Sequence, residues 1–281
     1  MKKAIVLVGF NRPSLLEESI NSIVGASGSQ NWIKILIAQR GNDAIELLIT
    51  KYRNEFDLVI STDGNQGTAL ANINFNRILG TRIAFDTYRS DFVLGIEEDT
   101  QIGFDSLNFI DNMCKKYGQN ISFRGVNLGS LEDKTENDLT DYSRIRYGIH
   151  GQAGGITRRS WKKIDALLSG IELSKEGWDA RIEAYLKSGF MATPNVSRMR
   201  DDGWDNGTHA PSNKEDPHYM KLRQNWVGVA PFSLPEYQNR DIFHSWRKDS
   251  IVFKPISNFY FYLKQTEFSK KIVSFKTTHL N

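Results

Sequence analysis

The sequence predicts an α/β fold in which a largely parallel sheet carries helices on both faces. Two observations point there. Over the first 120 residues, short runs rich in Val, Ile, Leu and Phe alternate with segments of helical period, which is the signature of βαβ units. The composition is that of a globular chain: 281 residues, 40% hydrophobic, 25% charged, with 36 Lys+Arg against 33 Asp+Glu for a net charge of +3. That balance excludes an intrinsically disordered chain, a collagen and a polybasic nucleic-acid arm, and the length suits one large domain or two small ones.

The first strand is Ala4–Phe10. Its charged-then-apolar start resembles a leader, but the apolar run is too short for a membrane span and no small-residue cleavage site follows it. Pro13 suits a first helical turn, so a helix runs over Pro13–Val24. Next come strand Ile33–Gln39, helix Ala44–Asn54, strand Leu58–Ser61, the long helix Gln66–Asp86, strand Phe92–Ile96 and helix Asp105–Tyr117. The single cysteine, Cys114, falls in that last helix. It reads as packing, not as a reactive thiol, and one cysteine excludes an internal disulfide and a thiolate zinc cluster. A reducing, cytoplasmic setting is the expectation. Beyond residue 120 the pattern loosens. Strands are expected near Ile121–Val126 and Ile145–His150, a helix over Ser160–Leu168, and another from Trp178 with Ile182, Tyr185 and Leu186 on the same face. Arg198–Asp216 is polar, rich in Gly and Asp and without apolar period, as expected of a functional loop or lid. No internal repeat or low-complexity tract is present, and the break near residue 120 separates subdomains of one large domain.

Parallel sheets bind ligands beyond the carboxyl ends of their strands, which directs attention to four features. In FVLGIEEDTQIGF an apolar strand runs into Glu97-Glu98-Asp99. Three carboxylates there repel one another unless solvated or holding a cation, and oxygen ligands suit Mg²⁺ or Mn²⁺. The plainer alternative is a solvated acidic turn. In GFNRPSLL, Arg12 stands just past the first strand, where a guanidinium can clamp a phosphate or a carboxylate. In KEGWDARIE, Asp179 lies in the first turn of its helix, a place that the helix dipole alone explains. Trp178 beside it and the Gly-rich GQAGGITRR upstream suggest a pocket wall in which a carboxylate could act as general base. In VSRMRDDGWDNGTHA, a loop carrying Arg198, Arg200, Thr208 and His209 could fold over a phosphate.

Taken in order, these features resemble the GT-A nucleotide-sugar glycosyltransferases, whose Rossmann-like mixed sheet is flanked by helices. The chain is most similar to the N-acetylglucosaminyltransferase I family, as a soluble bacterial-type relative, and the likeness covers roughly residues 4 to 210. Asn11-Arg12 resembles the family's Asp-Arg start, whose Arg contacts the donor phosphate. Glu97-Glu98-Asp99 resembles its Glu-Asp-Asp motif, whose last Asp holds Mn²⁺, here Asp99. Trp178-Asp179 resembles the pair whose Asp is the base of an inverting transfer. Ser197-Arg198, Gly203 and Thr208-His209 match a later Ser-Arg, Gly and Ser-His segment. Two positions depart from the family: Arg40 stands where it has an Asp for uracil, and Asn74 where it has a His.

The resemblance implies a metal-dependent inverting transferase, with Asp179 as base, Mn²⁺ or Mg²⁺ at Asp99, and a nucleotide lying over Phe10, Arg12, Arg40 and Asn74. Glu97, Glu98, Trp178, Thr208 and His209 complete the expected donor site. A UDP-sugar is the favoured donor, and a glycan or lipid-linked glycan the acceptor, in surface polysaccharide or oligosaccharide synthesis. On this plan residues 1–120 form the nucleotide-binding half, 121–240 the acceptor half, and 241–281 a C-terminal extension. The alternatives are a sugar-phosphate nucleotidyltransferase, whose usual Gly-rich opening loop VGFNRPSLL lacks, and a non-catalytic carbohydrate- or nucleotide-binding module. Residues 241–281 hold seven Lys and Arg, three Asp and Glu, and nine aromatic residues. That mixture suggests a peripheral contact with the inner face of an anionic membrane; the plainer alternative is a last element packed on the domain.

Overall fold

The structure is a computed structural model that describes residues 1–41, 43–130, 139–140, 142–146, 148–149, 151–203 and 226–234, and the backbone of 241–243. Its first half alternates strand and helix: β1 Lys3–Gly9, α1 Pro13–Gly25, β2 Ile33–Gln39, α2 Asp43–Tyr52, β3 Leu58–Thr62, α3 Ala69–Arg82 and β4 Phe92–Glu97. A π-helical turn, Ile83–Thr87, prolongs α3. A short β5 Thr100–Ile102, α4 Ser106–Tyr117 and β6 Phe123–Asn127 follow. Then come β7 Tyr142–Ile145, β8 Ala153–Thr157, α5 Arg158–Leu168, α6 Trp178–Lys187, β9 Phe190–Pro194, β10 Met199–Asp201 and β11 Asp241–Phe243.

Among the described residues, nine strands form one mixed sheet in the order β11-β7-β9-β6-β8-β4-β1-β2-β3. β3, β2, β1 and β4 are mutually parallel, β8 runs antiparallel between β4 and β6, and β6 is parallel to β9. The sheet therefore runs without interruption across the break expected near residue 120.

The apolar runs become strands because both faces of the sheet are covered, and alternate residues enter two cores. Ile5 and Leu7 of β1 pack with Leu16, Ile20 and Ile23 of α1 and with Phe109 and Ile110 of α4. Ala4, Val6 and Val8 pack on the other face with Ile78 of α3, Trp161 and Ile164 of α5, and Ile182 and Leu186 of α6. Each such aliphatic side chain contributes about 1.5–3 kcal/mol on burial. Local signals set the helix starts: Pro13 opens α1, while the hydroxyls of Thr68 and Thr157 cap α3 and α5 by accepting from Ala71 N (3.1 Å) and Ser160 N (3.2 Å).

Several expectations need correction. The strand expected at Ile145–His150 is centred earlier, at Tyr142–Ile145, where it pairs with β9. The stretch from Arg198 does not start as a loop, because Met199–Asp201 pairs antiparallel with Thr100–Ile102. Asp241–Phe243, assigned to an extension, pairs parallel with β7. Cys114 is buried as expected, and burial pushes its thiol up to about 12. Among the described residues no helix is long and apolar enough to cross a membrane.

Candidate active site

Topology brings the chemistry to one edge. Four parallel strands place Phe10 to Arg12, Arg40, Asp63 and Glu97 beyond their carboxyl ends. Because β8 is antiparallel to β4, the chain entering β8 arrives at the same edge, with Glu97 N donating to Gln152 O at 3.0 Å. The chain leaving β9 passes there too, where Arg198 N donates to Leu128 O at 2.8 Å.

The acidic motif divides its work. Glu98, 2% exposed, accepts from the backbone N–H of Phe10 and of Asn11 (3.4 Å) and from Arg12 Nε at 2.7 Å. It ties the β1–α1 loop to the end of β4. Arg12 reaches on to Asp99, Nη1 to Oδ2 at 2.8 Å. Burial acts against the guanidinium's charge, yet Asp99 and Glu98 together raise its pKa. Asp99 is 8% exposed, and its Oδ1 is buried without a hydrogen-bond partner. Gly203 passes so close that a Cβ there would stand 2.0 Å from Asp99 Oδ2, and Asp202 N donates to Asp99 O at 2.8 Å. A side chain at 203 would have to displace the Asp99 carboxylate.

Glu97 and Asp179 approach each other across Gly151. A Cβ at Gly151 would lie 3.6 Å from Glu97 Oε1 and 3.5 Å from Asp179 Oδ2. Burial, Asp99, Asp179 and Asp201 push Glu97 up to about 8, against the opposing charge of Arg77. Asp201 rises to about 6, chiefly through burial and then Asp99, although Gly203 N donates to its Oδ1 at 2.9 Å. Crowded carboxylates with one orphaned buried oxygen are a hard-oxygen donor set that suits a divalent cation. Among the described residues no three side chains enclose an ion. Asp99, with its buried and unpartnered Oδ1, is the residue here that could hold such a cation, with its other ligands coming from outside the described side chains.

The structure distributes the other expected donor residues unevenly. Asn74 is wholly buried. Its Nδ2 donates to Leu173 O (2.7 Å) and Glu176 O (2.9 Å), and its Oδ1 accepts from Trp178 N (3.0 Å), so its amide holds the start of α6. Arg40, at the end of β2, is exposed and faces Asp63 at 3.5 Å. Trp178 is buried against the second core. Thr208 and His209 lie outside the described residues. Arg198, expected to reach a phosphate, is fully buried instead. Its Nε and Nη2 donate to Asp105 Oδ2 at 3.2 and 3.1 Å, and Nη1 to Val196 O at 2.9 Å. It locks the β9–β10 connection onto the start of α4. Sequence reasoning missed Arg77 and Asp201, while Gly151 lies in the Gly-rich segment expected to wall the pocket. The available signal for Arg77 was an arginine in a helix that must cover a sheet.

The large mixed sheet flanked by helices is of the GT-A type seen in the solved glycosyltransferase structures to which it is similar. No protein-family model matches the chain, and no curated protein sequence matches it. Among solved structures, residues 1–349 of S. aureus TarS align with a TM-score of 0.52 at 16% identity, over 69% of this chain and 58% of that one. A longer TarS structure gives 0.50 at 14% identity, over 71% of this chain and 36% of that one. The mannosyltransferase PcManGT from Pyrobaculum calidifontis, solved with GDP-Man and Mn²⁺, gives 0.49 at 13% identity, over 79% and 62%. This chain thus spans less than two thirds of the length of each, and the likeness to TarS is one of fold.

Proposed function

We propose that this chain is an inverting glycosyltransferase that moves a sugar from a nucleotide-sugar donor to a hydroxyl of a glycan acceptor. The observation that carries the reading is the convergence of Arg12, Asp99, Glu97 and Asp179 at the carboxyl edge of a GT-A sheet. In the resembled family the positions of Arg12, Asp99 and Asp179 serve the donor phosphate, the metal and the acceptor proton in turn, with Glu97 among the expected donor-site residues, and the donor favoured by that likeness is a UDP-sugar, hexosyl or N-acetylhexosaminyl.

Asp179 takes the proton of the acceptor hydroxyl as its oxygen bonds to the anomeric carbon, while the bond from that carbon to the diphosphate oxygen breaks on the opposite face. Negative charge leaves with the nucleoside diphosphate, so cationic groups near it matter most. Arg12 keeps a quarter of its side chain exposed and is the residue to meet the diphosphate. When bound at Asp99, Mn²⁺ or Mg²⁺ would neutralise charge developing on the leaving group.

One observation weighs against the nucleotidyltransferase alternative. A triphosphate-cradling loop offers free backbone N–H groups, whereas those of Phe10 and Asn11 point at Glu98. To separate an enzyme from a binding module, nucleoside diphosphates and nucleotide sugars are screened by thermal shift with Mn²⁺, on the wild type and on Asp179→Asn. Both proteins should gain melting temperature with the same nucleotide, and only the wild type should turn the nucleotide sugar over. Wild-type turnover by Asp179→Asn would remove Asp179 from the reaction. Absence of any nucleotide-dependent shift in both proteins would sink the donor-site reading.

A further inference from the structure

A helix that covers a sheet ordinarily turns an apolar stripe inward. α3 turns a guanidinium inward. Arg77 is 3% exposed, and its head lies on the sheet at Gly95 of β4, where a Cβ would stand 1.8 Å from Arg77 Cζ. The Trp178 ring packs on the same guanidinium, its centroid 4.7 Å from Cζ. Among the described residues, no carboxylate forms an ion pair with Arg77, and its Nη1 is buried without a hydrogen-bond partner. Burial lowers its pKa to about 10, against Glu97 and Asp179, so it is charged at neutral pH.

A charge buried with so few bonds is costly, and an unbranched apolar side chain would fill the place at less cost. The adjoining cavity, lined by Arg77, Thr81, Gly95, Gly154 and Trp178 among others, holds about 20 Å³. That is room for about one water and excludes an anionic ligand. The charge therefore serves the protein's own groups, and those whose field it shares are Glu97 and Asp179.

We infer that Arg77 is a positioning residue for Asp179: it backs the Trp178 ring that fixes the first turn of α6, and its charge steadies the neighbouring carboxylate. Two contacts from α3 reach that turn. Arg77 meets the Trp178 ring, and Asn74, three residues earlier on the same helix face, binds Trp178 N at 3.0 Å. Asp179 follows directly. Asp179 also faces Glu97 across Gly151, and two anions so placed oppose one another unless a cation lies near both. The inference rests on Asp179 acting as the base.

The test uses two variants of the full chain. Arg77→Met keeps an unbranched stem over Gly95 without the charge, and Arg77→Lys keeps the charge without the flat face. Turnover is read as diphosphate release from UDP-N-acetylglucosamine with Mn²⁺. For Arg77→Met, kcat should fall roughly 100-fold with the donor KM within about threefold, and Arg77→Lys should recover part of that loss. An unchanged kcat in Arg77→Met overturns the inference, as does equal loss in both variants or a loss that falls on the donor KM instead. Failure of the underlying reading has a different mark: Asp179→Asn keeps turnover, whereas failure of this inference alone leaves Asp179→Asn inactive and Arg77→Met as fast as the wild type.

Discussion

Glu97, Glu98 and Asp99 are consecutive, yet each meets different surroundings. Glu98 has three donors and Asp99 has Arg12, whereas Glu97 has a distant cation and three neighbouring anions. Glu97 consequently holds its proton up to about 8 in the folded chain, against an ordinary 4.5. The folded state binds more protons than the unfolded one throughout that window, so stability falls as pH rises through it and stays lower above it. Asp201 adds a smaller loss of the same sign between its ordinary 3.8 and about 6. Replacing Glu97 by Gln removes its part, which is on the order of a few kcal/mol. In metal-free buffer the wild-type Tm should decline from pH 6 to 8, and Glu97→Gln should be flatter over that range and melt higher at pH 8. A wild-type Tm that held level or rose relative to the variant would show that Glu97 is not carrying a buried charge.

At the scale of elements, α3 is the organiser, and it is also where sequence reading reached least far. It buries Asn72, Asn74, Asn76, Arg77 and Thr81 beside the apolar Ile78. A reading based on apolar stripes places the helix but assigns no work to its inner face. Asn74 makes the cost measurable. Asn74→Ala would strip partners from Trp178 N, Leu173 O and Glu176 O together. It should cost about 2–3 kcal/mol, seen as a lower Tm. Equal Tm values for the wild type and Asn74→Ala would show that the α6 start is held by other contacts. The same contrast explains what was legible elsewhere. β1, β2 and β4 are continuous apolar runs because helices cover both their faces, and their boundaries lay within a residue or two of expectation. β8, Ala-Gly-Gly-Ile-Thr, carries no such run. The Phe92 ring lies 2.3 Å from where a Gly155 Cβ would sit, and the Gly155 carbonyl 1.9 Å from a Gly125 Cβ. Tight packing there asks for small residues, so the strand read only as a Gly-rich pocket wall. Of the site, the acidic motif and Trp178-Asp179 were visible because each sits at an element's end, whereas Arg77 and Asp201 acquire their neighbours only through the fold.

Across the whole molecule, the sheet decides where the folded body ends. Among the described residues its far edge is β11, and the boundary drawn after residue 240 would remove it. Asp241, Ile242 and Phe243 pair with Tyr142, Ser143 and Arg144 of β7, so a chain cut at 240 leaves β7 as an open edge with unpaired N–H and C=O groups, a template for self-association. Protein 1–240 should therefore melt below protein 1–243 and associate with rising concentration in light scattering, while 1–243 stays as dispersed as the full chain. Equal behaviour of the two truncations would mean that β11 adds nothing to the edge. That outcome also fixes how the basic tail must be tested. Residues 244–281 carry seven Lys and Arg against two Asp and Glu, with aromatic residues among them, and attraction to anionic lipid is worth about 1 kcal/mol per basic residue near the surface. A comparison of the full chain with 1–240 would confound lost charge with a damaged sheet, whereas 1–243 isolates the charge. On vesicles containing phosphatidylserine at low salt the full chain should sediment more than 1–243, and the difference should shrink as salt screens the contact. Equal sedimentation at low salt would leave the tail without a membrane role.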